Sequence, residues 1–168
     1  PVEFSYIYVR EGNKVREKKV LPYYLKEDQQ RWYLLAYDNN ILKTFNIDCI
    51  RNLKILYEET FKRNMNIDAN NLFKDSYGIW NQTDIPVENI ELSYSVLDGS
   101  FLKSNPLHHS QEIITDNEME FRIRLRLRIT NDFVMALLSR SSSLTVINPL
   151  HLRERIRKVY EEAIKRHL

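Results

Sequence analysis

Apolar and polar positions alternate in short runs over the first third of the chain. Phe4, Tyr6 and Tyr8 recur with a period of two, which predicts a strand. Polar clusters typical of turns separate this run from four others. The predicted strands cover residues 4–8, 15–25, 31–37, 41–46 and 50–57, with Pro22 interrupting the second. Five short strands with tight turns are typical of a small β-barrel, in which closure removes the exposed strand edges.

A short helix is predicted to follow these strands. Residues 67–77 carry a helical pattern, with Asp68 placed to cap the N-terminus and Gly78 the C-terminus. The polar segment 81–86 is typical of a connection between domains. We therefore expect two domains, one over residues 1–80 and one over residues 81–168.

The second half of the chain changes pattern, because strands now alternate with helices. The predicted strands cover 90–96, 111–115, 119–129 and 144–147, and the predicted helices cover 131–140 and 149–168, with a turn or short helix at 99–103. The second and third of these strands form a hairpin. This order is typical of a ferredoxin-like α+β domain.

The most regular pattern lies in the third of these strands. Five apolar residues at the odd positions from 121 to 129 alternate with Arg122, Arg124, Arg126 and Arg128. We expect the apolar side chains to face the core and the guanidinium groups to face outward. The arginines either contact phosphates of a nucleic acid or pair with acidic residues, within the chain or at a dimer interface. The acidic residues expected as partners include Glu91, Glu112 and Asp116.

Charge is distributed unevenly along the chain, although the net charge of +2 over 168 residues is small. Residues 121–168 contain eleven Lys and Arg against four Asp and Glu, whereas residues 83–120 contain one Lys against eight acids. This distribution favours neutralisation of the basic segment by its acidic neighbour over a surface reserved for nucleic acid.

Cysteine content and hydropathy indicate the compartment. The single cysteine, Cys49, excludes an internal disulfide and favours a reducing environment, so we expect a cytoplasmic protein. No apolar run approaches membrane-spanning length, and we expect no signal peptide and no membrane partner. The chain begins at Pro1 on a strand-like pattern, from which we expect a fragment whose upstream part is missing.

Motifs for catalysis or cofactor binding are not found in the sequence. The three glycines, at positions 12, 78 and 99, cannot form a glycine-rich phosphate loop. His108 and His109 are adjacent but lack further ligands at metal-binding spacing. Cys49 has no histidine near it in sequence to act as a base. We therefore expect no enzyme, no cofactor and no metal site.

Several segments of the chain closely resemble the WYL domain and its C-terminal extension (WCX) domain. Trp32, Tyr33 and Leu34 form the tripeptide after which the WYL family is named. The segments that resemble the WYL domain are 21–25, 31–38 and 43–50, with 72–79 resembling the short helix that usually follows. The segments that resemble the extension domain are 106–111 and 146–153. The resemblance covers essentially the whole chain.

This resemblance implies an Sm/SH3-like small β-barrel followed by a ferredoxin-like extension domain. In bacterial WYL-family transcription regulators, the barrel senses an effector, often thought to be a nucleic acid or nucleotide, and the extension helps to dimerise. In these regulators an N-terminal winged helix-turn-helix binds the operator DNA, and we expect that part to be missing from the present fragment. We therefore expect the effector-sensing and dimerisation region of such a regulator, with a second copy and a single-stranded nucleic acid or nucleotide as partners.

Two positions depart from the pattern of the family. Asn46 and Cys49 stand where arginines are usual in the family, whereas Lys43 preserves a positive charge at the first of the three basic positions. Because lysine cannot reproduce the bidentate fork of arginine on a phosphate, such a pocket should hold an anion less tightly or hold a different ligand. The alternative function is a protein–protein interaction or dimerisation module with a degenerate ligand pocket.

The candidate ligand-binding residues interleave aromatic rings with cations. Single-stranded nucleic acid binding uses rings to stack bases and charges to hold the backbone. Tyr33, Lys43 and Arg51 are expected to face one shared hollow, while Trp32 is expected in the barrel core. The competing interpretation is an aromatic-rich core with a solvated rim. The full set is Tyr6, Tyr8, Tyr24, Arg31, Tyr33, Lys43 and Arg51 in the barrel, and Arg122, Arg124, Arg126 and Arg128 in the extension.

Overall fold

The computed structural model describes residues 1–140 and 142–168. The chain folds as two compact units, Pro1–Leu72 and Phe73–Leu168. The first is built mainly from strands and the second from strands and helices, so the predicted mixed class is confirmed. The boundary expected between residues 80 and 81 stays a prediction.

Five antiparallel strands make up the sheet of the first unit. They are β1 (Val2–Tyr8), β2 (Lys14–Asp28), β3 (Arg31–Asp38), β4 (Ile41–Asn46) and β5 (Ile50–Ile55). In the sheet they lie in the order β4-β3-β2-β1-β5. A 3-10 turn at Ile47–Cys49 connects β4 to β5.

Two-residue turns join β2 to β3 and β3 to β4. Gln29 and Gln30 have φ angles of 48° and 63°, and Asn39 and Asn40 have φ angles of 51° and 63°. Positive φ at both central positions is the type I′ geometry, whose twist matches the right-handed twist of the flanking strands. The turns predicted at 26–30 and 38–40 are confirmed at these residues.

The sheet of the first unit curls, so that strands that are not hydrogen-bonded neighbours face one another. The Phe4 ring in β1 lies 5.4 Å from the Phe45 ring in β4, in an edge-on contact. Val20, Leu34 and Ala36 are buried with them in one apolar cluster. We call the side of the sheet that carries this cluster the concave face.

Closure into a barrel was predicted but is not present among the residues that the structure describes. The edge strands β4 and β5 are not hydrogen-bonded to each other, because β5 pairs with β1 after the 3-10 turn. The predicted break at Pro22 is also wrong. β2 is 15 residues long and continues through Pro22. Its pairing with β3 is irregular between Pro22 and Tyr24. A bulge accommodates a proline because the residue there need not donate to the ladder.

The helix predicted over 67–77 is much shorter in the structure. Helix α1 covers only Ala69–Phe73, although Asp68 does accept a hydrogen bond from the backbone nitrogen of Asn70 at 2.9 Å. The carbonyl of Asp75 accepts a hydrogen bond from the backbone nitrogen of Arg128 at 2.8 Å. This long-range bond takes the place of a further helical turn, and Gly78 lies beyond the helix end.

The second unit has the ferredoxin-like order of elements that the sequence predicts, with one helix added at the end. Its elements are β6 (Val87–Tyr94), α2 (Val96–Ser104), β7 (Glu112–Asp116), β8 (Phe121–Arg128), α3 (Asn131–Leu138), β9 (Thr145–Asn148) and α4 (Leu150–Lys165). All sheet pairings are antiparallel, in the order β7-β8-β6-β9.

The core of the second unit follows the alternation in β8. Phe121, Ile123, Leu125 and Leu127 are at most 1% exposed, which confirms that the apolar positions face inward. Residues of α2, α3 and α4 pack against them, the buried ones being Leu102, Phe133, Val134, Leu137, Leu152 and Ile156. The four arginines of β8 lie on the opposite side of the sheet.

Candidate functional site

Basic side chains project from alternate positions of β2 onto the concave face. In the register of β1 and β2, Arg16 lies opposite Tyr6 and Lys18 lies opposite Phe4. Directly opposed residues of an antiparallel pair share one face of the sheet, so both cations lie on the side of the buried Phe4. Lys43 in β4 shares this face by the register of β3 and β4.

A buried carboxylate joins two of these cations. Asp38, at the end of β3, is 3% exposed, and its Oδ2 accepts hydrogen bonds from Nζ of Lys18 and Nζ of Lys43, both at 2.8 Å. The bond from Lys18, followed by that from Lys43, holds the pKa of Asp38 below its usual value. The bond to Asp38 in turn raises the pKa of Lys18. Asp38 and Lys18 are therefore both charged at neutral pH.

Two tyrosines line the concave face beside these groups. The rings of Tyr6 and Tyr8 lie 5.0 Å apart in an edge-on contact. The guanidinium group of Arg16 lies 4.7 Å from the centre of the Tyr8 ring, within cation–π range. The hydroxyl of Tyr6 accepts a hydrogen bond from the backbone nitrogen of Asn46 at 3.3 Å, and burial raises the pKa of Tyr6. We call Tyr6, Tyr8, Arg16, Lys18, Asp38 and Lys43 the concave-face cluster.

Half of this cluster lies outside the set that the sequence nominated. Arg16, Lys18 and Asp38 were not predicted as site residues, whereas Tyr6, Tyr8 and Lys43 were. A signal for the two cations was present, since they alternate within a predicted strand that forms a hairpin with Tyr6 and Tyr8. Asp38 gave no such signal, because it stood at a predicted turn.

Tyr24 and Arg31 lie away from the concave-face cluster. The hydroxyl of Tyr24 donates to the carbonyl of Ile67 at 2.5 Å, and the guanidinium of Arg63 lies 4.3 Å from its ring centre. Tyr24 therefore fastens the segment after β5 to the sheet. Arg31 is exposed at the start of β3, opposite Asp28 beside the turn.

Tyr33, Lys43 and Arg51 do not share one face of the sheet, contrary to the expectation of a common hollow. Tyr33 is three residues from Ala36, the register partner of Lys43, and therefore lies on the opposite side. Its phenol is still near enough to contribute to the raised pKa of Tyr6. Arg51 donates to the carbonyls of Asp48 and Ile50, both at 2.8 Å, on the exposed strand β5.

Trp32 is not a core residue, because 52% of its surface is exposed. The register of β3 and β4 begins at Tyr33, so Trp32 lies beyond the last pair that β4 makes with β3. Its partner in β2 is Glu27, close to the turn. Among the described residues, β4 does not extend far enough to pair with Trp32. The alternation within β3 could not show where β4 ends.

A separate hollow of about 500 Å³ lies along β1, β2 and β5. Its charged lining residues are Glu3, Glu17 and Lys54. Two carboxylates against one ammonium group do not favour an anion. The hollow does not coincide with the concave-face cluster, so we place the candidate site at the cluster, where the cations and rings meet.

The four arginines of β8 are engaged within the second unit. Arg122 binds Glu120 at 2.9 Å, Arg124 binds Glu91 at 2.8 Å, and Arg126 binds Asp75 at 2.9 Å. Arg128 donates to the carbonyl of Ile85. These contacts support the pairing interpretation over phosphate contact. Asp116 instead pairs with Lys103 at 2.6 Å.

Within the described part of the chain, no group of three metal-ligating side chains is placed to hold a metal ion. No helix in that part is long and apolar enough to cross a membrane.

Solved structures of two proteins align with this chain. Proteasome accessory factor B/C (PafBC) of Arthrobacter aurescens aligns with a TM-score of 0.40 and 18% identity, over 93% of this chain and 24% of its own. A crystal structure of a CRISPR Cas-related protein aligns with a TM-score of 0.51 and 10% identity, over 99% of this chain and 47% of its own. The chain thus spans about a quarter and about half of these proteins, and the second likeness concerns the fold alone.

No curated protein matches the sequence. The resemblance of the C-terminal segments to an extension domain stays a prediction. The strands of the first unit have a match of their own: residues 1–55 match the family model of the WYL domain.

Proposed function

We propose that the chain is the effector-sensing region of a bacterial WYL-type transcription regulator, and that its first unit binds a nucleic-acid or nucleotide-like anion on the concave face. The match of residues 1–55 to the WYL domain supports the class of protein. The observation that carries the ligand chemistry is the concave-face cluster, where Arg16, Lys18 and Lys43 lie beside the rings of Tyr6 and Tyr8.

The cluster suits a ligand that combines phosphate with a flat ring. Ammonium and guanidinium groups bind phosphate oxygens, and aromatic side chains stack on bases at about 1–3 kcal/mol per base. Arg16 and Tyr8 are already in contact, so a base on Tyr8 would bring its phosphate within reach of the guanidinium. Asp38 and Glu11, which binds Arg16 at 2.5 Å, offset part of the positive charge.

The remaining parts of the proposal concern the whole regulator. We propose a cytoplasmic homodimer without enzyme activity or cofactor, in which a winged helix-turn-helix outside this chain contacts operator DNA. Ligand binding can change the activity of such a regulator only if the ligand binds two conformations with different affinity.

Binding of a fluorescently labelled single-stranded oligonucleotide of about eight nucleotides, followed by anisotropy, tests the ligand proposal. We expect Tyr8→Ala to weaken binding about tenfold, because it removes a stacking surface. Arg16→Gln should weaken it about fivefold, because it removes one phosphate contact. Arg124→Gln is the matched control, since it removes the same charge from an arginine that is likewise paired with a glutamate but belongs to the second unit.

Equal losses in Arg16→Gln and Arg124→Gln would move the site to the arginines of β8. A wild-type chain that does not bind the oligonucleotide contradicts the sensing proposal. If that chain still dimerises in sedimentation experiments, the interaction module with a degenerate pocket takes its place.

A further inference from the structure

The ion triple around Asp38 has one feature that a structural salt bridge does not require. A single carboxylate oxygen accepts from two ammonium groups, while the other oxygen accepts from the amide of Asn39 at 3.2 Å. The side chain of Lys18 is 15% exposed and that of Lys43 is 41% exposed. One cation is therefore held inside and the other is open to solvent.

Asp38 presents to these lysines the same chemistry as a phosphate oxygen. Both are anionic oxygens that accept hydrogen bonds from ammonium groups at similar distances. A phosphate that approaches Lys43 must therefore compete with the Asp38 carboxylate, which is already bound to Lys43 and belongs to the neighbouring strand. A ligand with one phosphate gains little from this exchange, whereas a strand that also reaches Arg16 and Tyr8 gains additional contacts.

We propose that Asp38 is a specificity-determining residue that acts as an internal competitor for the anion on the concave face. Its carboxylate occupies the anion position between Lys18 and Lys43, so a lone phosphate binds weakly there. Ligands bind well only if their phosphate and ring also contact Arg16 and Tyr8. This inference rests on the proposed function, because it concerns the same site. It predicts that removing the carboxylate strengthens ligand binding, whereas loss of a purely structural contact weakens it.

Asp38→Asn tests the inference with the same labelled oligonucleotide. We expect about fivefold tighter binding, because the substitution frees the ammonium groups while keeping the shape of the side chain. The plot of log affinity against log salt should also become steeper by about one, as expected for one further phosphate contact. Inorganic phosphate should compete with the oligonucleotide more effectively in the variant than in the wild type.

Glu17→Gln is the matched control for Asp38→Asn. Glu17 is exposed on β2 between Arg16 and Lys18, and its alternation places it on the opposite face, so the change in net charge is the same. Lys43→Gln provides a second comparison. It should weaken binding more in the Asp38→Asn background than in the wild type, because only in that background does Lys43 contact the phosphate without first giving up its bond to Asp38.

The possible outcomes separate this inference from the proposed function. If the wild type binds and Asp38→Asn binds no more tightly than Glu17→Gln, the inference is overturned and the sensing proposal stands. If only Asp38→Asn binds, the inference is supported and sensing by the native face is contradicted. If no variant binds, both are overturned.

A measurement on the wild type tests the same inference even if the Asp38→Asn variant does not fold. Carbonyl ¹³C NMR during titration with the oligonucleotide should shift the Asp38 carboxyl resonance more than that of Glu17, because the lysines leave Asp38 for the phosphate. An unchanged Asp38 resonance at saturation would contradict the competition.

Discussion

An alanine at position 99 is expected to lower the free energy of unfolding by about 2–3 kcal/mol, although alanine normally stabilises a helix interior relative to glycine by about 1 kcal/mol. Gly99 is buried in α2, directly over the start of β8. A Cβ atom at this position would lie 2.4 Å from Cβ and 2.5 Å from Cγ of Phe121. Phe121 is 1% exposed and paired with Tyr94, so neither side of the contact can yield without moving the core.

Urea unfolding followed by circular dichroism measures this effect. Ser100→Ala is the matched control, because it alters the next residue of the same helix at an exposed position and should change the free energy of unfolding by less than about 0.5 kcal/mol. A Gly99→Ala variant as stable as the wild type would show that α2 does not press on β8 in this way.

Acidification from pH 6.5 toward pH 4 is expected to lower the free energy of unfolding by an amount on the order of 3 kcal/mol through His108 alone. Burial, with a smaller contribution from His109, lowers the pKa of His108 from 6.5 to about 4. In the unfolded chain His108 therefore binds a proton as the pH falls below 6.5, whereas in the folded chain it binds one only near pH 4. The stability is unaffected above this window and falls as the pH falls through it.

The surroundings of His108 explain why its charged form is disfavoured. Its Nε2 is buried and receives no hydrogen bond from residues 1–140 or 142–168, and its Nδ1 lies 2.8 Å from the hydroxyl of Ser110. The ring of His109 lies 4.1 Å away. The nearby carboxylate of Asp75 and the carbonyls of Lys74 and Ser76 favour the charged form but do not outweigh burial.

His108→Gln should remove this part of the pH dependence, whereas His167→Gln, which alters an exposed histidine, should leave it in place. Urea midpoints between pH 4.5 and 7.5, with the slope of the transition held equal, provide the comparison. An unchanged dependence in His108→Gln would mean that another group takes up the proton.

Much of the fold could be predicted because strand alternation is a local property. Phe121 to Arg128 alternates without exception, and the same alternation appears in the burial of β8. The Asn39 and Asn40 turn was equally local, since asparagine tolerates the positive φ that a type I′ turn requires. Errors arose where distant contacts decided the outcome, as at α1, where the carbonyl of Asp75 bonds to β8.

The candidate site was only partly predictable for a related reason. Tyr6, Tyr8 and Lys43 could be chosen by residue type, and the structure places all three on one face. The expected grouping of Lys43 with Tyr33 and Arg51 was wrong, because residue type does not specify which side of a sheet a position takes once registers are set.

The order of residues alone determined where most strands and helices form, which side of β8 is buried, and that rings and cations gather in the first third of the chain. Each of these follows from spacing over a few residues. Only the tertiary structure decided that β4 and β5 do not pair with each other and that Asp38 bridges Lys18 and Lys43. These residues stand on three different strands, and the register and curl of the sheet bring their charges together. Contacts of that kind depend on how strands pair over the whole unit, which no local pattern encodes.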